Sequence, residues 1–372
     1  MTLPDPTLPD PALPSSIELH RVRVPLVEPM RSAHGLESDR WSILVAALSD
    51  DGHVGWGECP ALHAPTYTSE WHEGAWSVLS DHLVPAALAG RDGGIRGHPM
   101  ASSAIEGALV DLELRRRGST LAAVIGADRS RVQSCAVIGI AEGIDALMNA
   151  IAAKVDMGHR AVKLKIRPGW DLEVVRAVRS AWPQLSLAVD ANGSYAAPAD
   201  RGVLHQIDQL GLDYIEQPLA PGDLVEHACL AAELSTLVAL DESVLTISDV
   251  DTALALGHLD AVNLKPARLG GVAATLAVHD RLLEHGVGMW CGGMLELGVG
   301  RASALAVAAL PGCTFAADLG PSASYVAEDV TAPFELDADG TIMVPTGPGI
   351  GRSPLAGRLA AVTVERSVFG PA

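Results

Sequence analysis

A (β/α) barrel of the TIM type, preceded by a separate α+β domain, is the fold this sequence predicts, on three observations. Short apolar runs ending in one ionisable residue recur about every 25 residues: Lys165, Asp190, Glu216, Asp241 and Lys265 each close such a run. A run of this kind reads as a buried parallel strand that delivers a side chain to the rim of a sheet. Helix-like stretches such as 171–180 and 247–257 lie between the runs, so the unit is βα. A doubly wound sheet shares that unit, but only a closed barrel gathers successive strand ends around one centre. Finally, strand patterns followed by helical ones precede the alternation, which marks an independent α+β unit.

Taken in order, residues 1–16 nearly repeat a Thr-Leu-Pro-Asp-Pro unit, and five prolines in the first fourteen residues predict a polyproline-like, disordered tail. Strands are expected at 17–24, 41–48 and 54–59, with a tight turn at Asp51-Gly52, which makes an antiparallel meander. Residues 25–35 read as a loop. Helical patterns at 69–87 and 101–117 complete a capping domain over 17–125. The barrel is expected over 126–330: a first strand at 131–138, a helix at 144–157, the five charged strands, a seventh strand at 287–291 and an eighth at 314–318. Residues 345–351 read as a loop, and 331–372 are expected to return to the capping domain.

At 372 residues the chain holds a barrel and a smaller domain. A formal net charge of −19 argues against nucleic acid or an anionic membrane surface as partner, because phosphate is repelled. Cys59, Cys135, Cys229, Cys291 and Cys313 form no CxxC pair, and their odd number suits reduced, buried thiols in a cytoplasmic protein. No basic stretch leads into an apolar one at the N-terminus, and no segment is long and apolar enough to span a bilayer, so no signal peptide and no membrane association are expected.

The rim carries the chemistry. Asp190, Glu216 and Asp241 end three consecutive strands, so their carboxylates converge. Like charges repel unless a cation sits among them, and three hard oxygen donors with open positions suit Mg²⁺ or Mn²⁺ rather than zinc. Any one of these acids alone also suits a helix cap; three in successive units point to a metal. Lys163 and Lys165, two apart on one strand, project to the same face. Lys265 stands across the barrel, on the sixth strand. Two amines facing each other across a metal-bound carboxylate are an arrangement for moving a proton on and off the adjacent carbon, one base per face.

Lys163-Leu-Lys165, Asp190-Ala-Asn192, Ile215-Glu216-Gln217-Pro218, Asp241-Glu242-Ser243, Asn263-Leu-Lys265-Pro266 and Cys291-Gly292-Gly293-Met294 together resemble the enolase superfamily, muconate-lactonizing subgroup. Within it the chain is most similar to the branch of o-succinylbenzoate synthases and N-acylamino acid (N-succinylamino acid) racemases, over residues 17–360. The resemblance implies a modified (β/α)7β barrel, Asp190, Glu216 and Asp241 as magnesium ligands, and Lys165 as the base with Lys163 assisting. Lys265 becomes the acid/base of the opposite face in racemisation and a cationic stabiliser in dehydration. Asn192 and Glu242 orient ligands and lysine. Arg268, Gly292, Gly293, Met294 and Leu62 are implied at the substrate, with 25–35 and Leu62 lying over its tail.

The implied substrate is a small carboxylate. It is either 2-succinyl-6-hydroxy-2,4-cyclohexadiene-1-carboxylate, dehydrated to o-succinylbenzoate on the menaquinone route, or an N-acyl amino acid. Relatives form homo-oligomers. An Arg at the place of Arg268 accompanies racemase activity in this branch. Val137 falls where relatives carry a small hydroxyl residue, unless a shift brings Ser134 or Cys135 there. A dedicated racemase is the alternative, as is a dipeptide epimerase, for which Asp318 on the eighth strand is a match. A sugar-acid dehydratase would place a His base on a later strand, and here the seventh ends in glycines. A non-catalytic carboxylate-binding barrel would lack a rim residue, and none is missing.

Overall fold

The computed structural model describes residues 8–9, 13–32, 35–196 and 199–370. Most of the tail expected over 1–16 lies outside them. Strands β1 (Ser16–Ser32), β2 (Gly35–Leu48) and β3 (Val54–Cys59) form the antiparallel meander. Strand character continues through much of the stretch expected as a loop, 25–35. The ladder pairs Pro25 with Asp39 and resumes at Met30 opposite Glu37, so Pro29 falls in the skipped stretch and costs no paired N–H. There the chain turns to the barrel, with Val27 N donating to Tyr325 O at 2.8 Å.

Gly55 and Gly57 explain the seating of helix Pro99–Arg117 on β3. A Cβ on Gly55 would lie 2.1 Å from Ala108 O, and one on Gly57 1.9 Å from Ala104 O. Only glycine permits that approach. The helix expected at 69–87 starts at His72 and passes through one π turn at Leu79–Leu83. Pro85, next along, has no N–H to give the turn before it.

The strand expected at 131–138 is two strands. β4 (Arg131–Gln133) leaves the barrel to pair with a C-terminal strand, and β5 (Cys135–Ile138) enters it. From β5 the parallel sheet runs through β6 (Ala161–Lys165), β7 (Ser186–Asp190), β8 (Tyr214–Glu216), β9 (Leu237–Leu240), β10 (Ala261–Leu264) and β11 (Gly288–Cys291). The expected eighth strand closes the ring by single bridges instead of a ladder: Ala317 meets Ser134 and Asp318 meets Gly292. β12 (Thr341–Met343) is the partner of β4, and β13 (Thr363–Phe369) adds to β1 with Phe369 opposite Ile17. Four cysteines are buried; Cys229, on the outer helix Leu224–Glu233, is exposed, contrary to expectation. No helix among the described residues is long and apolar enough to cross a membrane.

Period-2 alternation decides what enters the barrel. Ala188, Tyr214, Ala239, Ala261 and Trp290 form a buried apolar floor, with Tyr214 and Trp290 stacked at 4.3 Å. Two residues further along the same strands, the inward positions are Asp190, Glu216, Asp241 and Asn263. Apolar burial below thus sets a charged layer above.

Glu58 ties the two domains together. Its carboxylate, on β3, accepts from Leu297 N and Gly300 N at 2.8 Å each and from Ser42 Oγ at 2.9 Å. Burial raises its pKa from 4.5 to about 7 against those N–H donors, with Glu296 adding to the rise and Arg40 opposing it. A raised carboxyl contributes stability that is full below about 4.5 and is lost as pH climbs through about 7. Glu58→Gln should therefore gain on the wild type between pH 5 and pH 8, by on the order of 2 kcal/mol. Urea midpoints at the two pH values read the gap; a gap independent of pH would remove Glu58 as its source.

Candidate active site

Strand register places the charged residues side by side. Lys165 is opposite Asp190 across the β6–β7 ladder, and Asp190 is opposite Glu216 across β7–β8. Asp241 follows β9 directly. All three acids are buried, at 1%, 0% and 0% exposure. Each is held by a cation of the protein. Lys165 Nζ donates to Asp190 Oδ2 at 2.6 Å and to Asn192 Oδ1 at 2.8 Å. Lys163 Nζ lies 2.5 Å from both Glu216 Oε2 and Asp318 Oδ2. Lys265 Nζ donates to Asp241 Oδ2 at 2.8 Å, and Arg268 Nη1 donates to Asp241 Oδ1.

The electrostatics follow. Burial together with the Asp190 charge pushes Glu216 up to about 8. Burial also opposes charge on Asp190 and Asp241, yet Lys165 holds the first, and Arg268 with Lys265 the second, below the usual carboxylate range. Lys163 and Lys265 resist burial because Asp318 and Glu216, and Asp241, keep each ammonium charged. Among the described residues no three acidic, His or Cys side chains already stand in ligand geometry. The donor set nevertheless fits a divalent ion: three hard oxygens, buried on adjacent strand ends, are now neutralised by lysine and arginine where a cation would serve.

A cavity of about 130 Å³ opens above this layer, lined by Lys163, Lys165, Asp190, Asn192 and Lys265 from the barrel and by Leu62 and Tyr67 from the capping domain. Gly293, Met294 and Val137 also line it, so Val137, not Ser134 or Cys135, takes the place where a hydroxyl was sought. Ser134 is buried and donates to Leu319 O at 2.8 Å.

Three implied substrate contacts or helpers sit behind this wall. Gly292 packs against Asn263, whose Oδ1 a Cβ would approach to 2.3 Å. Arg268 has no exposed surface and is enclosed by Asp241, Tyr67 and the carbonyl oxygens of Val244 and Asn263. Its guanidinium grips Asp241 and does not line the cavity. Glu242 accepts from Asn192 Nδ2 at 2.8 Å, one shell out from Lys165.

Sequence reasoning missed two residues here. Tyr67 OH lies 3.1 Å from Lys265 Nζ, 3.0 Å from Arg268 Nη1 and 3.3 Å from Asp241 Oδ2. It comes from an irregular segment with no periodicity to reveal it. Asn263 Nδ2 donates to Glu216 Oε1 at 2.7 Å, and it was legible, because two residues before Lys265 on a strand means the same face. Asp318 accepts from Lys163 and, at 2.9 Å, from Trp290 Nε1. The non-glycine residues with left-handed backbone among those described, Asn192, Gln217 and Leu295, all stand at this mouth, where strain is characteristic of functional sites.

A family model described as Enolase C-terminal domain-like matches residues 146–356. An N-succinylamino acid racemase of an Amycolatopsis species is 40% identical over 367 residues, 96% of this chain and 99% of the relative. An o-succinylbenzoate synthase of Geobacillus kaustophilus is 38% identical over 343 residues, 90% and 91% of the two chains. The solved structure of an enolase-superfamily member from Listeria innocua superposes with a TM-score of 0.91 at 33% identity, covering 96% of this chain and 98% of that one.

Proposed function

The chain belongs to the enolase superfamily, and from that premise we propose that it is an enzyme that removes the proton α to a substrate carboxylate, acting as an o-succinylbenzoate synthase and an N-succinylamino acid racemase. The observation that carries this reading is the pair Lys165 and Lys265. They reach one cavity from strand ends four places apart in the parallel sheet, so they address opposite faces of a bound molecule.

Asp190, Glu216 and Asp241 would hold a divalent ion, Mg²⁺ or Mn²⁺, which when bound supplies positive charge to the substrate carboxylate and so acidifies the α-carbon. Lys165 Nζ takes the α-proton. Asn192, itself fixed by Glu242, aims that amine. In racemisation Lys265 Nζ returns a proton to the other face, leaving the mirror-image product. In dehydration the β-hydroxyl departs as water with the proton that Lys165 took, and the Lys265 ammonium offsets the negative charge that builds meanwhile. Lys163, tied to Glu216 and Asp318, sets the field behind Lys165 without touching the α-carbon. Tyr67 brings the capping domain to bear on Lys265, and Leu62 and Met294 give the tail an apolar wall.

Incubation of either enantiomer of an N-succinyl amino acid in D₂O should place deuterium at the α-carbon, followed by proton NMR. Lys265→Ala should stop interconversion of the enantiomers while exchange of one of them, through Lys165, persists. Racemisation at the wild-type rate in that variant would sink the two-base reading.

A further inference from the structure

One cation lining the cavity has no task in this chemistry. Arg301, on helix Gly298–Ala308, is 2% exposed and lines the cavity beside Leu295, Leu319 and Tyr325. Its Nη1 donates to Gly320 O at 3.1 Å and its Nη2 to Glu296 O at 2.7 Å, and the guanidinium lies 4.3 Å from the centre of the Tyr325 ring. Tyr325 is itself fixed, its hydroxyl accepting from Gly320 N at 3.1 Å.

Carbonyl oxygens satisfy donors but do not cancel a buried charge. The other buried cations of this site each have a carboxylate: Lys163 has Glu216 and Asp318, and Lys265 and Arg268 share Asp241. Among the described residues Arg301 forms no ion pair. Three acids share its cavity, and all are engaged elsewhere, Asp190 by Lys165 at 2.6 Å. Glu296 Oε2 accepts from Met294 N at 2.7 Å, and Asp318 Oδ2 serves Lys163 and Trp290. A planar fork held by two carbonyls and a ring is preorganised for a carboxylate.

We infer that Arg301 binds a second carboxylate, at the far end of the substrate's acyl chain, and so selects dicarboxylic substrates. The inference rests on the α-proton chemistry proposed above, in which the first carboxylate sits among the lysines. The apolar side chains of Leu295 and Leu319 suit the methylenes between the two acids.

The test compares α-proton exchange of an N-succinyl amino acid with that of its N-succinamoyl analogue, equal in shape and lacking the distal charge. Wild type should favour the succinyl compound in kcat/KM by roughly 10- to 100-fold, mostly through KM, as a charged hydrogen bond is worth. Arg301→Met should bring the ratio close to one, and Arg301→Lys should leave it intermediate. A wild-type ratio near one, or a ratio unchanged in Arg301→Met, overturns the inference. Should the methionine variant not fold, the lysine variant and the wild-type ratio decide. Absence of exchange with every N-acyl compound would overturn instead the function on which the inference stands.

Discussion

Replacing Lys165 with alanine should lower α-proton exchange and dehydration together by about 10⁴-fold or more, the upper range for loss of a positioned general base. The neighbouring amine offers no rescue. Lys163, two residues earlier on the same strand, is 2% exposed and held at 2.5 Å by two carboxylates. Its partners keep it charged, and a charged amine accepts no proton. Lys165→Arg should fail as fully, since a guanidinium stays protonated at any working pH. The fold should survive either change. Lys165 is partly exposed at the cavity, and Asp190 retains Lys163 at 3.9 Å. Steady-state kinetics on both substrates, with a thermal melt to confirm folding, read the outcome; activity within tenfold of wild type would place the base elsewhere.

The barrel and its rim were legible because the signal is periodic and local. An inward-facing strand end must bury what precedes it and expose what it delivers, so Asp190, Glu216, Asp241 and Lys265 announced themselves. The resemblance read from the motifs was borne out by the family match and by the relatives. What escaped depends on contacts between segments far apart in the chain. Tyr67 reaches Lys265 over 198 positions, and Glu58 caps the turn around Leu297 over 239. No pattern along a chain encodes such a meeting. Strand β1 outran the predicted loop for a related reason: prolines discourage pairing, but a ladder that keeps Pro25 opposite Asp39 and skips Pro29 leaves the strand intact. Arg268, expected at the substrate, lies behind the cavity wall because position after a strand fixes the direction of a side chain, not the depth at which Asp241 stops it.

Stripping divalent ions with a chelator should reduce exchange and dehydration by at least about 10³-fold, with recovery on adding Mg²⁺ or Mn²⁺. The argument is one of charge. Asp190, Glu216 and Asp241 are buried in adjacent positions, and a divalent ion among them would offset the mutual repulsion that, with burial, pushes Glu216 up to about 8. A second readout needs no turnover: Mg²⁺ at 100 times its dissociation constant should stabilise the fold by about 2.7 kcal/mol, seen as a rise in melting temperature. Glu216→Gln separates ligation from folding. Lys163 keeps Asp318 at 2.5 Å in that variant, so the fold holds, while the Mg²⁺-dependent rise shrinks and activity falls with it. Asp241→Asn is the weaker probe, because it strips Lys265 and Arg268 of their shared acid and destabilises the protein with or without metal. Full turnover by metal-free enzyme, or an undiminished melting shift in Glu216→Gln, would contradict the assignment of these acids.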